Sequence, residues 1–342
     1  MTEISAVQAR NHRAVARELR VCARVYFWLV LLLVPWTMVY AADAKPASRY
    51  TVLVLLSHQT ATYQQVVDGI REGMHANNRI VLQTVPMIDY LQRTDASRQA
   101  EQPDLIVTVG MEAAQTMLQE ASDTPLCMIL IPRATSEALV REYEETPTTP
   151  RRPITAVYID QPFHRQLQLI RLTLPRSRSL GVVYGPLSRE SEKQLKAVAD
   201  SEKWDLHAVG VSRENELFDA FTRVLDSSDV LLALPDPLVY NQHTTQNILL
   251  ETYRQRKPLI GYSHAYVLAG ALAAVYSTPQ QIGRQVGEHL AGLGDKGGVS
   301  MPTPRYPKYF TVEVNQQVAQ SLGLTVATAT ELQSKIEETQ ER

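Results

Sequence analysis

The chain has 342 residues, 44% hydrophobic and 20% charged, with 34 Lys and Arg against 36 Asp and Glu. That length suits two lobes better than one core, and a formal charge of −2 excludes a binder built on clustered basic residues, so no nucleic-acid partner is expected. Two cysteines exclude a disulfide framework and a Cys-rich zinc site, and the apolar content excludes a disordered chain.

At the start, Arg10, Arg13, Arg17, Arg20 and Arg24 precede an uncharged apolar run from Val25 to Tyr40, and Ala41-Ala42-Asp43-Ala44 follows. Basic, apolar and small-residue regions in that order read as a secretory signal peptide over residues 1–41. The alternative is an uncleaved N-terminal membrane anchor. Against it, the run is about 16 residues, short of the roughly 20 that span a bilayer, and Pro35 interrupts it. Cys22 lies before the run, which argues against a lipid anchor. Both readings place the remainder outside the cytoplasm, in the periplasm. That remainder holds 29 basic and 34 acidic side chains and a single cysteine, Cys127, in the apolar stretch 125–131, where a buried and inert thiol is expected.

From residue 50, apolar runs alternate with helical patterns. Thr51–Leu56 is continuously apolar, as a strand covered on both faces should be. Tyr63, Val66, Val67, Ile70 and Met74 then recur at helical spacing. Strands are expected again at Ile80–Val85, Leu105–Val109 and Leu126–Ile131, with helical content at 88–99 and 112–121. Three prolines in 144–153 mark the best boundary. Beyond it strands fall at 154–159, 179–184, 206–211, 230–234, 258–262 and 273–276, with helices over 162–173, 188–203, 214–226 and 240–256. Thr278-Pro279 predicts a capped helix start, running to about Leu293, and a late strand spans 309–314.

This pattern predicts an α/β protein of two doubly wound parallel-sheet lobes joined by a hinge. Lobe 1 is expected over 50–155 with a return segment near 260–292. Lobe 2 is expected over 156–258 with a return near 300–325, and 326–342 is expected to be a polar, frayed tail. The Gly69-Ile-Arg-Glu-Gly73 stretch lies inside a helix, so its glycines are read as close-packing positions, not as a phosphate loop.

Catalytic signatures are missing. The sequence has no GxGxxG after its first strand, no P-loop, no GxSxG and no HExxH, and its eight histidines have no metal-ligand spacing. No enzyme activity, cofactor or metal is expected. Doubly wound sheets bind ligands at the C-terminal ends of their strands. That rule selects Ser57, His58 and Gln59 after the first strand, Gly110 and Met111 after the third, and Arg133 after the fourth. In the second half it selects Tyr184, Asp236 and Ser263. Arg133 could clamp a carboxylate and Asp236 could accept from an amine. Ordinary turn chemistry accounts for the same residue types.

Five stretches carry a family resemblance. Ile154–Asp160, with Gln166–Ile170 and Leu174-Pro175, is similar to the crossover between lobes in the ABC-transporter substrate-binding family, of the tryptophan- and tyrosine-binder type. Leu180-Gly-Val-Val-Tyr-Gly185 with Ser191 resembles its GVLYNPGEANS segment, and Asp229–Asp236 its DAIYVPTDN. Lys257–Gly261 with Gly270–Ala273, Gly283 and Leu290 resembles a further run, and Asn315–Leu324 its closing segment. The chain departs from that pattern at Tyr184-Gly185-Pro186, which lacks an asparagine, and at Gly110-Met111-Glu112, which replaces a Thr-Pro-type turn. The resemblance implies a type I periplasmic-binding fold, a small-molecule ligand held between lobes (an amino acid or aromatic compound), an inner-membrane ABC permease as partner, and a monomer. A ligand-free or sensory module docking an envelope or inner-membrane protein is the alternative.

Overall fold

The computed structural model describes residues 49–75, 79–94, 102–120, 122–145, 151–293 and 302–340. The expected signal or anchor, residues 1–41, lies outside them. None of the described helices is long and apolar enough to cross a membrane.

Two sheets organise the chain. The first contains β1 (Tyr50–Leu56), β2 (Ile80–Pro86), β3 (Leu105–Val109), β4 (Leu126–Ile131) and β5 (Ile154–Tyr158), all parallel, in the order β2-β1-β3-β4-β5. The second repeats that order as β7-β6-β8-β9-β10, from β6 (Ser179–Tyr184), β7 (Asp205–Gly210), β8 (Val230–Leu232), β9 (Leu259–Gly261) and β10 (Ala273–Tyr276). An antiparallel edge strand, β11 (Thr311–Val314), pairs with β10. These are two doubly wound lobes, as the sequence predicts.

Strand alternation explains the layering. Val52, Val54 and Leu56 face α1 (Ala61–Gly73), while Leu53 and Leu55 face the opposite layer of α2 (Met87–Leu91), α3 (Met111–Gln119) and α4 (Arg133–Glu145). In lobe 2, α5 (Phe163–Thr173) and α6 (Glu192–Ser201) cover one face, and α7 (Leu217–Ser227) and α8 (Thr245–Arg254) the other, with α9 (His264–Ala269) beside them. Cys127 is buried in the lobe 1 core, where burial pushes its thiol up to about 12.

Three boundaries differ from expectation. The proline-rich 144–153 stretch does not separate the lobes, because β5 pairs with β4 inside the first sheet; the crossing follows Tyr158. The return to lobe 1 is narrower than 260–292, since β9 and β10 belong to the second sheet. Within that span α10 (Pro279–Ala291) crosses back, opened by the Thr278 cap: Thr278 Oγ1 accepts from Gln281 N, and Gln281 Oε1 accepts from Thr278 N. Finally, the polar end does not fray. After α11 (Gln316–Ser321), residues Ala329–Gln340 form α12, which buries Leu332 and Ile336 against lobe 2.

What ties α10 to lobe 1 is a glycine seam. A Cβ on Gly69 or Gly73 of α1 would overlap the backbone carbonyls of Gln280 or Arg284. A Cβ on Gly283 or Gly287 of α10 would overlap those of Val66 or Ile70. The expectation that Gly69 and Gly73 permit close helix packing holds. Gly69→Ala and Gly283→Ala should each cost about 2–3 kcal/mol in chemical denaturation, as overpacking does. Gly292→Ala, whose Cβ would meet only His289 O at 3.6 Å, should stay within about 0.5 kcal/mol of wild type.

Candidate functional site

The chain passes between lobes three times, at 159–162, at 277–278 and over 302–310. The third passage runs along the open edge of β5, where Tyr158 N donates to Arg305 O (3.1 Å) and Arg305 N to Ala156 O (3.0 Å). Side chains stitch the passages together. Gln161 Nε2 donates to Ser277 Oγ at 2.8 Å, and Ser277 Oγ donates to Tyr309 O. Beneath them Arg165 is buried, with Nη1 donating to Gln161 Oε1 (2.6 Å) and Pro307 O (3.0 Å), and Nη2 to Gln340 Oε1 (2.8 Å). The guanidinium lies over the Phe310 ring at 4.3 Å.

All three passages lie on the β5 side, so the lobes meet there. A cleft of about 260 Å³ forms between them. Lobe 1 contributes Pro132–Thr135 at the start of α4, and the first passage contributes Asp160, Gln161, Phe163 and Gln166. Lobe 2 contributes Leu187, Ser188, Ser191, Leu234–Pro237, Tyr240 and Tyr262, and the third passage contributes Tyr306. A β-bulge sets the lobe 1 wall: the β4–β5 register shifts between Ile129 and Ile131, and Leu130 takes φ +60°. A left-handed leucine is strained, and such bulges re-aim a chain next to sites. At the mouth, Arg141 of α4 pairs with Glu190 of lobe 2 at 2.8 Å, both half-exposed, which contributes little to stability.

Arg133 and Asp236 both reach this cleft, and each is already engaged. Arg133 Nη1 donates to Glu137 Oε1 (2.9 Å) and Oε2 (3.1 Å) one helical turn on. Asp236 is 2% exposed. Its Oδ2 accepts from Leu187 N (3.0 Å), Ser188 N (2.8 Å) and Ser188 Oγ (3.0 Å), and Oδ1 from Leu238 N (3.0 Å). That occupies nearly every acceptor position a carboxylate has. The reading of Asp236 as an amine acceptor therefore changes: it is a strut joining the β6 and β8 turns. Gly185 makes room for it, because any Cβ there would overlap the Asp236 carboxylate.

The other expected residues lie elsewhere. Ser57 Oγ donates to Val109 O and accepts from Ala113 N, both at 2.9 Å, tying β1 to the start of α3. His58 is exposed beside Tyr63, 3.7 Å from Glu112 Oε1, and Gln59 and Met111 are exposed. Gly110 takes φ +91° to begin α3. These five gather at the β1/β3 switch point, away from the hinge side where the lobes meet. Tyr184 is buried in the lobe 2 core, and Ser263 precedes α9 without lining the cleft.

Strand-end reasoning missed the two most telling groups. Among the described residues, Gln166 Oε1 and Tyr240 OH are buried without a hydrogen-bond partner, and both residues line the cleft. The Gln166 amide is oriented by its other end, since Nε2 donates to Gln161 O at 3.1 Å. Tyr240 is held by edge-to-face contacts with Phe221, Tyr262 and Tyr266 at ring separations of 5.9–6.3 Å, and burial pushes its hydroxyl well above the usual phenol range. Unpartnered buried polar atoms are costly, which fits groups that a bound molecule satisfies. Asp160 also lines the cleft; its Oδ2 accepts from Arg133 N at 2.5 Å, and burial raises its carboxyl against that bond. Among the described residues, no group of three His, Cys, Asp or Glu is placed to hold a metal ion.

Two substitutions separate struts from ligand contacts. Asp236→Ala should cost about 3 kcal/mol or more in denaturant unfolding, because it strands four donors. Tyr240→Phe should leave the free protein as stable as wild type or up to about 1 kcal/mol more stable, since it removes an unsatisfied hydroxyl.

Comparison with known proteins agrees with this architecture. The family model described as "ABC transporter substrate binding protein" matches residues 50–334. A curated tyrosine-binding protein of Clostridioides difficile (strain R20291) is 23% identical over 193 residues, 55% of this chain and 54% of that protein, so the match spans about half the relative's length. Among solved structures, a ligand-free, open substrate-binding protein with adhesive properties from Clostridium difficile aligns with a TM-score of 0.64 at 17% identity, covering 81% of this chain and 96% of that one. An ABC domain in complex with L-Trp from Streptococcus pneumonia aligns with a TM-score of 0.54 at 20% identity, covering 82% and 96%. By the extent of the family match, the chain belongs to the ABC transporter substrate-binding protein family.

Proposed function

We propose that this protein is exported, captures a small organic solute in the cleft between its lobes, and delivers it to an ABC permease in the inner membrane. The observation that carries the reading is the pair of buried, unpartnered atoms, Gln166 Oε1 and Tyr240 OH, on the cleft wall. Aromatic side chains surround them, in keeping with the tyrosine and L-Trp named for two of the proteins to which the chain is similar. A solute seated there touches both lobes and the first passage at once. It therefore favours the closed arrangement, and the permease reads that change of population. The chemistry asked of the protein is recognition alone.

The saturation of Asp236 favours a second reading, in which the fold docks an envelope or inner-membrane protein without a ligand. A thermal-shift screen separates the two. The full chain, unfolded and refolded to remove any carried molecule, is tested against amino acids, aromatic acids and amines, purines, short peptides and sugars. A ligand at a hundred times its Kd adds about 2.7 kcal/mol, or roughly 5 °C for a chain of this size. The expected result is a selective shift that Tyr240→Phe reduces. A flat response from a folded protein supports the docking module instead.

A further inference from the structure

The charges lining the cleft are unbalanced in a way that bears on what it holds. Among the described residues, Arg133 is the single basic side chain on its wall, against Asp160 and Asp236. Glu137 holds Nη1 of the Arg133 guanidinium through both of its oxygens. The N-terminus of α4, whose dipole would otherwise attract an anion, points its first N–H at Asp160. A ligand carboxylate at this wall meets the fields of Glu137, Asp160 and Asp236, which the one Arg133 charge does not offset.

A cation meets the opposite situation. Asp160 is compensated by the Arg133 N–H, its own N–H and the Arg133 charge, and these do not offset its burial, so its carboxyl is raised above the ordinary range. An ammonium beside it would favour the ionised form and lower it again. Gln166, 6% exposed, presents an unpartnered carbonyl oxygen, which accepts an N–H and repels a carboxylate. Phe163, Tyr240, Tyr262 and Tyr306 supply aromatic surface, which receives both rings and ammonium groups. The cleft volume of about 260 Å³ is below the usual ligand-pocket range of roughly 300–1,000 Å³ and admits only a small molecule.

We propose that the cleft selects a small aromatic amine that carries a positive charge and no carboxylate. This rests on reading the cleft as the solute site, and it separates the protein from a relative named for tyrosine. Asp160 pairs with the ammonium, Gln166 Oε1 accepts one of its N–H bonds, and the tyrosine rings enclose the aromatic end. Asp236 contributes field and holds the wall in place.

The test is a charge series on a fixed ring, measured by titration calorimetry with the refolded full chain at pH 7. Tyramine, L-tyrosine and 3-(4-hydroxyphenyl)propionate form one set; tryptamine, L-tryptophan and indole-3-propionate form the other. In at least one set the amine should bind about tenfold or more tighter than the amino acid, with no detectable binding of the acid. Asp160→Asn, which keeps an acceptor for Arg133 N, should bring amine and amino acid within about threefold of each other. An amino acid that binds as tightly as its amine, or any binding of the acids, overturns the proposal. Silence of both sets, with a shift from some other compound in the thermal screen, overturns the amine assignment and leaves the solute site standing. Silence in both experiments overturns both.

Discussion

A buried guanidinium without a carboxylate partner holds the two lobes in their relation to each other. Among the described residues Arg165 makes no salt bridge. It donates instead to Gln161 in the first passage, Pro307 in the third and Gln340 at the end of α12, and Gln161 extends the network to Ser277 in the second. Burial lowers its pKa to about 10, so it remains charged at neutral pH and depends on those neutral acceptors. Removing any one of them leaves a buried cation short of a bond. The knot also aims the site: Gln161 accepts from the amide nitrogen of Gln166, which turns the Gln166 carbonyl oxygen into the cleft.

The glycine seam complements that knot. A helix encoded between β10 and β11 of lobe 2 is pressed against α1 of lobe 1 at backbone contact, so the returning chain cannot slide. Rigid lobes and passages joined by side-chain hydrogen bonds place any flexibility at the hinge. Further bonds cross between the lobes at Arg141–Glu190, at Gln194–Tyr306 and from Gln281 of α10 to Thr311 of β11.

Much of the fold was legible because buried parallel strands are continuous apolar runs, and because Thr278-Pro279 and the Gly69–Gly73 spacing have direct physical meanings. The lobe boundaries were less so. Nothing in Ile154–Tyr158 or Leu259–Gly261 says which sheet will accept a strand, and proline content near residue 150 suggested a division that the pairing of β5 with β4 removes. In α12, only Leu332 and Ile336 face inward, four residues apart, so a packed helix read as a charged tail. The candidate site was half legible. Strand-end positions include Arg133 and Asp236, which line the cleft, while Ser57, His58, Gln59, Gly110 and Met111, at the ends of β1 and β3 in the same sheet as Arg133, do not line it. Gln166 enters the sequence reading only within the Gln166–Ile170 stretch and Tyr240 not at all as a site residue, because what marks both is a bond that is missing in the folded protein.

Whether the cleft is where a solute sits is tested most directly by a crystal structure of the protein isolated without refolding, with whatever it carries from the cell. The expected result is density between the lobes, with a ligand donor on Gln166 Oε1 and a ligand atom within hydrogen-bond distance of Tyr240 OH. A solute bound instead at the His58–Met111 edge, or in the groove between α7 and α8 on the outer face of lobe 2, would contradict it.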